Sequence, residues 1–480
     1  MRGFSKKAVK QLEEWDKDYI WHPFTQMKEW VSESNLIIEK GKGSYLYDIR
    51  GNRYLDGVSS LWVTVHGHRK REINNAIKKQ LGKVAHSTLL GLSNVPAVEL
   101  AKRLVEIAPR AEEEKMRRWE DGKVGSTSQP LNLLNSSLSK VFYSDSGSTS
   151  VEIALKIAFQ YWQNKGVKDK TRFLTFKNAY HGDTIGSVSL GGMELFHDIY
   201  RPLLFKTIQV NSPYCYRCHL GKEYPSCKIA CLKEVEDTLK KQHKEVAALV
   251  IEPLVQGAAG MLLQPAGFLK ELRVLCDRYK ILMIADEVAT GFGRTGKMFA
   301  CDHEGVVPDI LCVAKGITGG YLPLAATLTT REIHDAFLAE YKELKTFFHG
   351  HTYTGNPLAC AAAIANLDIF EKEETLKRLQ PKISLMENEL KRFTGLSHVG
   401  DIRQKGFMVG IELVKKKDTR EPYPVELRMG HRVILEARKR GAILRPLGNV
   451  IVLMPPLSIK KSELERLLKI TYESIRVVTE

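Results

Sequence analysis

The chain has 480 residues, 43% hydrophobic and 27% charged, enough to bury a large core in more than one domain. Its net charge of +16 suits a nucleic-acid ligand, but the basic residues are spread along the chain among acids, as on a solvated surface, so no nucleic-acid partner is expected. No run of about eighteen apolar residues occurs, which excludes a membrane-spanning helix, and the polar N-terminus lacks the apolar stretch of an export signal, so a cytoplasmic protein is expected.

In chain order, a polar helix-like stretch carrying Glu13, Glu14, Asp16 and Asp18 comes first. Gly43-Ser-Tyr-Leu-Tyr-Asp48 and Asn52-Arg-Tyr-Leu-Asp-Gly57 then predict short antiparallel strands joined by turns. Residues 109–140 are charged, then rich in Ser, Asn and Gly, with weak periodicity, which describes a surface insertion. From Val141 onward, strand-like and helix-like segments alternate. The strands are Val141–Ser144, Phe173–Phe176, Ala247–Ile251, Ile281–Ala285 and Ile310–Ala314. After the first of them, Ile153, Ala154, Ile157, Ala158, Tyr161 and Trp162 share one helix face, and Thr149 and Glu152 have capping-box spacing. Several strands are apolar throughout, as strands buried on both faces are. The pattern predicts an α/β layer around a mostly parallel sheet. Helices follow from about residue 356, then strand-like Gly406–Glu412 and Val450–Met454. Both chain ends are expected to join in a smaller α+β domain (1–65 and 356–480) beside a large domain (66–355) that carries the 109–140 insertion.

Ligands of open parallel sheets gather at the carboxyl ends of the strands. There the sequence places Asp145-Ser-Gly-Ser148 opening a helix, Glu252-Pro253, Asp286-Glu287 and Lys315-Gly316. Each group alone is commonplace: a surface lysine, a turn aspartate, a small-residue helix entry. Together they suit pyridoxal chemistry. A lysine at an apolar strand end loses solvation, so its pKa falls and it can attack an aldehyde. An aspartate beside a pyridinium nitrogen keeps that ring protonated as an electron sink. Gly147 and Ser148 offer N–H groups and a positive helix end to a phosphate. Gly291-Phe-Gly-Arg-Thr-Gly296 matches a dinucleotide-binding pattern, but Asp286–Thr290 separates it from the strand and no amphipathic helix opens at Gly296, so a nicotinamide site is not expected.

Eight cysteines are present. Cys276, Cys301, Cys312 and Cys360 stand singly in or beside apolar segments, as buried thiols do. Cys215, Cys218, Cys227 and Cys231 have spacings that a metal site could use, and equally read as free or paired surface thiols. No metal is needed by the chemistry above.

Ile284-Ala-Asp-Glu-Val-Ala-Thr-Gly-Phe-Gly-Arg-Thr-Gly296 and Pro308-Asp-Ile-Leu-Cys-Val-Ala-Lys-Gly-Ile-Thr-Gly-Gly320 resemble the class III aminotransferases, pyridoxal-phosphate enzymes of fold type I. The likeness covers nearly the whole chain outside 109–140. Trp21-His-Pro-Phe-Thr-Gln-Met27, Asn178-Ala-Tyr-His-Gly-Asp183, Phe348-His-Gly-His-Thr-Tyr-Thr-Gly-Asn356 and Leu444-Arg-Pro-Leu-Gly448 are similar to the branch that aminates 8-amino-7-oxononanoate in biotin biosynthesis. The resemblance implies a homodimer with its active site at the subunit interface. It implies that Lys315 holds the cofactor and carries the proton, that Asp286 pairs the pyridine nitrogen with His181 orienting it, and that Tyr180 stacks on the ring. Gly147, Ser148 and, from the second subunit, Thr352 would bind the phosphate. Arg445 would grip the substrate carboxylate, with Phe24, Leu61, Trp62, Gly350 and His351 around the pocket. Members that use S-adenosylmethionine as amino donor have Tyr at the place of Phe24, Trp-Trp at Leu61-Trp62 and Pro-Thr at His351-Thr352. Members that use lysine look more like this chain. Other ω-amine transaminases, acting on ornithine, 4-aminobutyrate or a diamine, are the alternative within the family. A basic nucleic-acid-binding protein on an inert pyridoxal fold is the alternative outside it.

Overall fold

The computed structural model describes residues 4–33, 35–110 and 137–480. At its centre lies a seven-stranded sheet in the order β4 (Leu138–Ser144), β12 (Ala325–Thr330), β11 (Ile310–Val313), β10 (Leu282–Asp286), β7 (Val246–Ile251), β5 (Arg172–Phe176) and β6 (Ile208–Val210). The pairs among β11, β10, β7, β5 and β6 are parallel, whereas β12 runs antiparallel to both its neighbours. β7 and β10 are buried at every residue, as their unbroken apolar runs require. The sheet separates two cores. Val250, Ile284 and Ile310 face the helix Gly147–Asn164, and Leu249, Ile251, Met283 and Leu311 belong to the larger core. Full burial of each such side chain is worth about 1.5–3 kcal/mol, and Ile284→Ala would cost about 2–5 kcal/mol through the cavity it leaves.

Two strands of this sheet escaped the sequence pattern. β12 reads Ala-Ala-Thr-Leu-Thr-Thr, small and half polar, yet it is wholly buried, and the Thr327 hydroxyl is satisfied by donating to the Ser150 carbonyl at 2.8 Å. β6 has only three residues. Two further expectations are corrected. The 109–140 insertion reaches too far, because β4 begins at Leu138, which is buried and paired with Thr330, and polar Ser139 and Lys140 hid the strand. Residues 111–136 lie outside the described part. The helix after β4 is capped by Ser146 and Thr149 in a reciprocal box, one turn earlier than the Thr149–Glu152 spacing suggests. Glu152 instead accepts from the Gly186 N–H at 2.7 Å.

Strands from the two ends of the chain pair with one another. β1 (Ile38–Lys42), β2 (Tyr45–Asp48) and β3 (Arg53–Asp56) form a meander. β3 pairs in parallel with β16 (Ala442–Ile443) from the far end of the chain. A second C-terminal sheet orders β13 (Val399–Lys405), β14 (Met408–Lys416), β18 (Val450–Leu453) and β17 (Arg445–Leu447). No helix among the described residues is long and apolar enough to cross a membrane.

Candidate active site

The carboxyl ends of β4, β7, β10 and β11 open onto one cavity of about 490 Å³, lined by Lys315, Asp286, Glu252, Gly147 and Ser148 among others. Lys315 follows β11 and takes a left-handed φ of 44°, a conformation unusual for a residue with a side chain. Its turn is pinned from behind. Asn366 Nδ2 donates to the carbonyls of Gly316 and Ile317 at 3.0 and 3.1 Å, and Gly316 lies so close to Phe292 that a Cβ would stand 2.9 Å from it. This is the role of the Gly291–Gly296 segment: Phe292 backs the lysine turn, and buried Arg294 donates to the carbonyls of Pro455 and Thr64 at 2.8 and 2.9 Å. Loss of solvation pushes the Lys315 ammonium down to about 8, with the charges of Asp286 and Glu252 pulling upward. Its Nζ lies 4.6 Å from the centre of the Trp62 ring.

Trp62 is held there by an unusual backbone. Ser59, Ser60, Leu61 and Trp62 all have positive φ, between 47° and 72°. Asp56 offsets the strain by accepting from the Ser60 N–H and hydroxyl, both at 2.9 Å, and Ser59 Oγ donates to the Met454 carbonyl at 2.7 Å. The run buries Trp62 and leaves Leu61 exposed at the cavity.

Asp286 ends β10. Its Oδ2 sits 2.7 Å from His181 Nδ1, and its Oδ1 accepts from the Val288 N–H at 3.1 Å. His181 Nε2 is buried without a hydrogen-bond partner among the described residues. Glu252 follows β7 and accepts from the N–H groups of Tyr180 and Gly257 at 3.0 and 2.9 Å. Burial holds its carboxyl up at about 7, with Asp286 adding to the rise. Tyr180 lines the cavity and donates its hydroxyl to Asp183 at 2.7 Å. Ser148 Oγ accepts from the Thr184 N–H at 2.9 Å, which ties the helix start to the 180–184 segment. Arg445, in β17, has no ion-pair partner among the described residues, and burial lowers its pKa.

Of the residues singled out in the sequence, Lys315, Asp286, Tyr180, His181, Gly147, Ser148, Phe24, Leu61, Trp62 and Arg445 all line this one cavity. Gly350, His351 and Thr352 do not. Gly350 lines a separate hollow with Leu89, Leu90 and Val98, and His351 pairs with Asp145 at 3.5 Å. Sequence reasoning assigned no role to several further lining residues, Ser146, Asp183 and Phe196 among them. Ser146 is the helix cap, Asp183 stands within a quoted motif, and Phe196 follows no strand at all.

The four clustered cysteines are free thiols around one small hollow. Burial and the neighbouring sulfurs push Cys215 upward and Cys231 to about 11. Among the described residues, no group of three or more His, Cys, Asp or Glu is placed to hold a metal ion.

Residues 26–475 match the family model of the Aminotransferase class-III proteins. The chain is 54% identical over 469 residues to the adenosylmethionine-8-amino-7-oxononanoate aminotransferase of Geobacter sulfurreducens, covering 98% of both chains. Among solved structures, the adenosylmethionine-8-amino-7-oxononanoate aminotransferase of Methanocaldococcus jannaschii is 48% identical, with a TM-score of 0.88 over 98% of this chain and 99% of that one. An amine transaminase from an uncultivated Pseudomonas species, in its PLP-bound form, is 36% identical, with a TM-score of 0.86 over 96% and 99% of the two chains.

Proposed function

The chain belongs to the class III aminotransferases, which are pyridoxal-phosphate enzymes, and we propose that it aminates 8-amino-7-oxononanoate to 7,8-diaminononanoate in biotin biosynthesis, with S-adenosylmethionine as amino donor. One observation carries the reading. A desolvated lysine, a buried Asp–His pair, a helix start and an arginine with no ion-pair partner among the described residues face a single cavity. Near-full-length relatives that carry this enzyme's name support the acceptor and the donor. L-lysine is the second reading for the donor, favoured by Phe24 and Leu61 at the cavity in place of the residues that adenosylmethionine users carry.

The residues fit pyridoxal phosphate. The orphaned imidazole nitrogen of His181, the Asp286 carboxylate and the desolvated Lys315 amine need a polar occupant. The first-turn N–H groups of Gly147 and Ser148 have no intrahelical partners. Bound there, the cofactor supplies an electron sink that eases removal of the proton beside the transferred amine. Gly147 and Ser148 would hold its phosphate, Asp286 its pyridine nitrogen, and Lys315 its carbonyl carbon. His181 fixes the direction of the Asp286 carboxylate. Lys315, neutral in good part near pH 8, is suited to take a proton and return it. Tyr180 presents a flat wall whose hydroxyl is tied to Asp183. Arg445 offers a two-pronged grip to the substrate carboxylate.

The reading carries a cytoplasmic homodimer in which Gly350, His351 and Thr352 complete the cavity of a second copy. Exposed Leu90, Leu92, Val95, Val98, Phe348 and Tyr353 support such an interface, since monomers seldom leave so much apolar surface uncovered. Eight free thiols suit a reducing compartment. Residues 1–65 and 356–480 would form the small domain and 66–355 the large one, supported by the β3–β16 pairing.

The test is product formation. Purified enzyme with 8-amino-7-oxononanoate is given S-adenosylmethionine or L-lysine, and 7,8-diaminononanoate is measured by mass spectrometry. Product with one donor names that donor, and absence of product with both overturns the reading.

A further inference from the structure

One aromatic group at the cavity rim has no part in the chemistry above. Phe196 belongs to the one-turn helix Glu194–His197 and lines the same cavity as Lys315 and Arg445. Its ring meets three others edge-on: Phe24 with centroids 5.5 Å apart at 70°, Tyr180 at 6.4 Å and 83°, and the adjacent His197 at 6.3 Å and 73°. Phe24 is 60% exposed at a strained φ of 51°, and Phe196 is its only ring contact among the described residues. The helix that presents Phe196 is itself held in place. Its last residue, His197, is buried with its ring parallel to that of Tyr180, and Gly191 approaches so closely that a Cβ would stand 2.1 Å from the imidazole.

Lys315 and Arg445 both line the cavity, and the apolar groups that share it include Phe24, Leu61, Phe196, Ala258 and Leu447. A substrate whose carboxylate is held by Arg445 and whose reacting carbon reaches Lys315 must lay the spacer between them against apolar surface. We infer that Phe196 is a specificity-determining residue: it seats Phe24 over the rim and supplies the wall against which a polymethylene spacer lies, so the site selects carboxylates with a long aliphatic chain. The inference deepens the proposed reaction and rests on it for the identity of the acceptor.

The holoenzyme tests it with straight-chain monocarboxylates from butanoate to nonanoate, whose binding is read from the change in the cofactor's visible absorbance. In the wild type each added methylene tightens binding about fourfold, the factor expected for burying one CH₂. In Phe196→Ala the increment falls below about twofold while butanoate binds as before, and Phe196→Leu keeps most of it. Phe24→Ala, a second variant at the rim, flattens the series in the same way. The inference is overturned if the wild type shows no increment, if Phe196→Ala keeps the wild-type increment, or if butanoate and nonanoate weaken equally. A Phe196-dependent increment in an enzyme that does not aminate 8-amino-7-oxononanoate leaves the inference standing and removes the proposed reaction. Amination without such an increment does the reverse.

Discussion

His181 Nδ1 and Asp286 Oδ2 stand 2.7 Å apart with both side chains buried. Burial pushes the imidazole toward its neutral form, but the hydrogen bond and charge of Asp286 push further the other way, so its pKa lies above the usual value. The pair sets a hydrogen-bonded, buried carboxylate among the residues that line the cavity. Asp286→Asn keeps the shape and removes that charge, and is expected to lower kcat/KM about 10³-fold. His181→Gln, which can still donate to Asp286, is expected to cost about tenfold. Steady-state kinetics on both variants checks the order.

Lys315→Arg retains a cation that cannot give up its proton, and turnover is expected to fall by about 10⁴-fold. Because the amine is pushed down to about 8, capture of pyridoxal phosphate by the apo-enzyme should quicken as pH rises to about 8 and level off above it. A rate still climbing toward pH 10 would show an ordinary, solvated lysine.

Arg445→Lys exchanges a fork for a point charge. The KM for 8-amino-7-oxononanoate is expected to rise tenfold or more, about 1.5–3 kcal/mol, with a smaller change in kcat. Equal loss in both parameters would place Arg445 in the chemical step instead.

Glu252 gives a pH signature in stability. Burial raises its folded pKa from 4.5 to about 7, so the folded chain holds the proton more tightly than the unfolded one. The stability it contributes is full below about pH 4.5 and is lost as pH rises through 7. Glu252→Gln pays a fixed cost for one lost N–H acceptor but has no proton to lose. In urea unfolding, the wild-type advantage over this variant should shrink between pH 5 and pH 8 by on the order of 3 kcal/mol. A constant difference would mean that Glu252 is ionised throughout.

The sequence exposed those parts of the site that follow strongly apolar strands. Asp286 and Lys315 were legible because β10 and β11 are unbroken apolar runs whose ends are unmistakable. β12 was not, since its buried Thr327 is satisfied by a backbone partner far away in the chain, which no local pattern reveals. The same holds for Trp62: no local pattern marks the backbone of residues 59–62, and only the Asp56 and Met454 contacts show why four left-handed residues in a row are tolerated. Phe196 and Asp183 reach the cavity from the segment after Tyr180, whose path is set by packing such as His197 on Gly191 rather than by periodicity. Gly350, His351 and Thr352 belong, on the proposed reading, to a neighbour's cavity, a relationship between chains that one chain's geometry does not contain.

The most direct test of the central claim is a single-turnover absorbance experiment on the yellow holoenzyme. S-adenosylmethionine or L-lysine is added alone, and then, once the visible band has fallen, 8-amino-7-oxononanoate. The account predicts that the band falls with one donor, returns with this acceptor, and does neither in Lys315→Ala. A band that falls with the donor but does not return with 8-amino-7-oxononanoate would contradict the proposed acceptor, and a Lys315→Ala enzyme that still cycles would contradict the site itself.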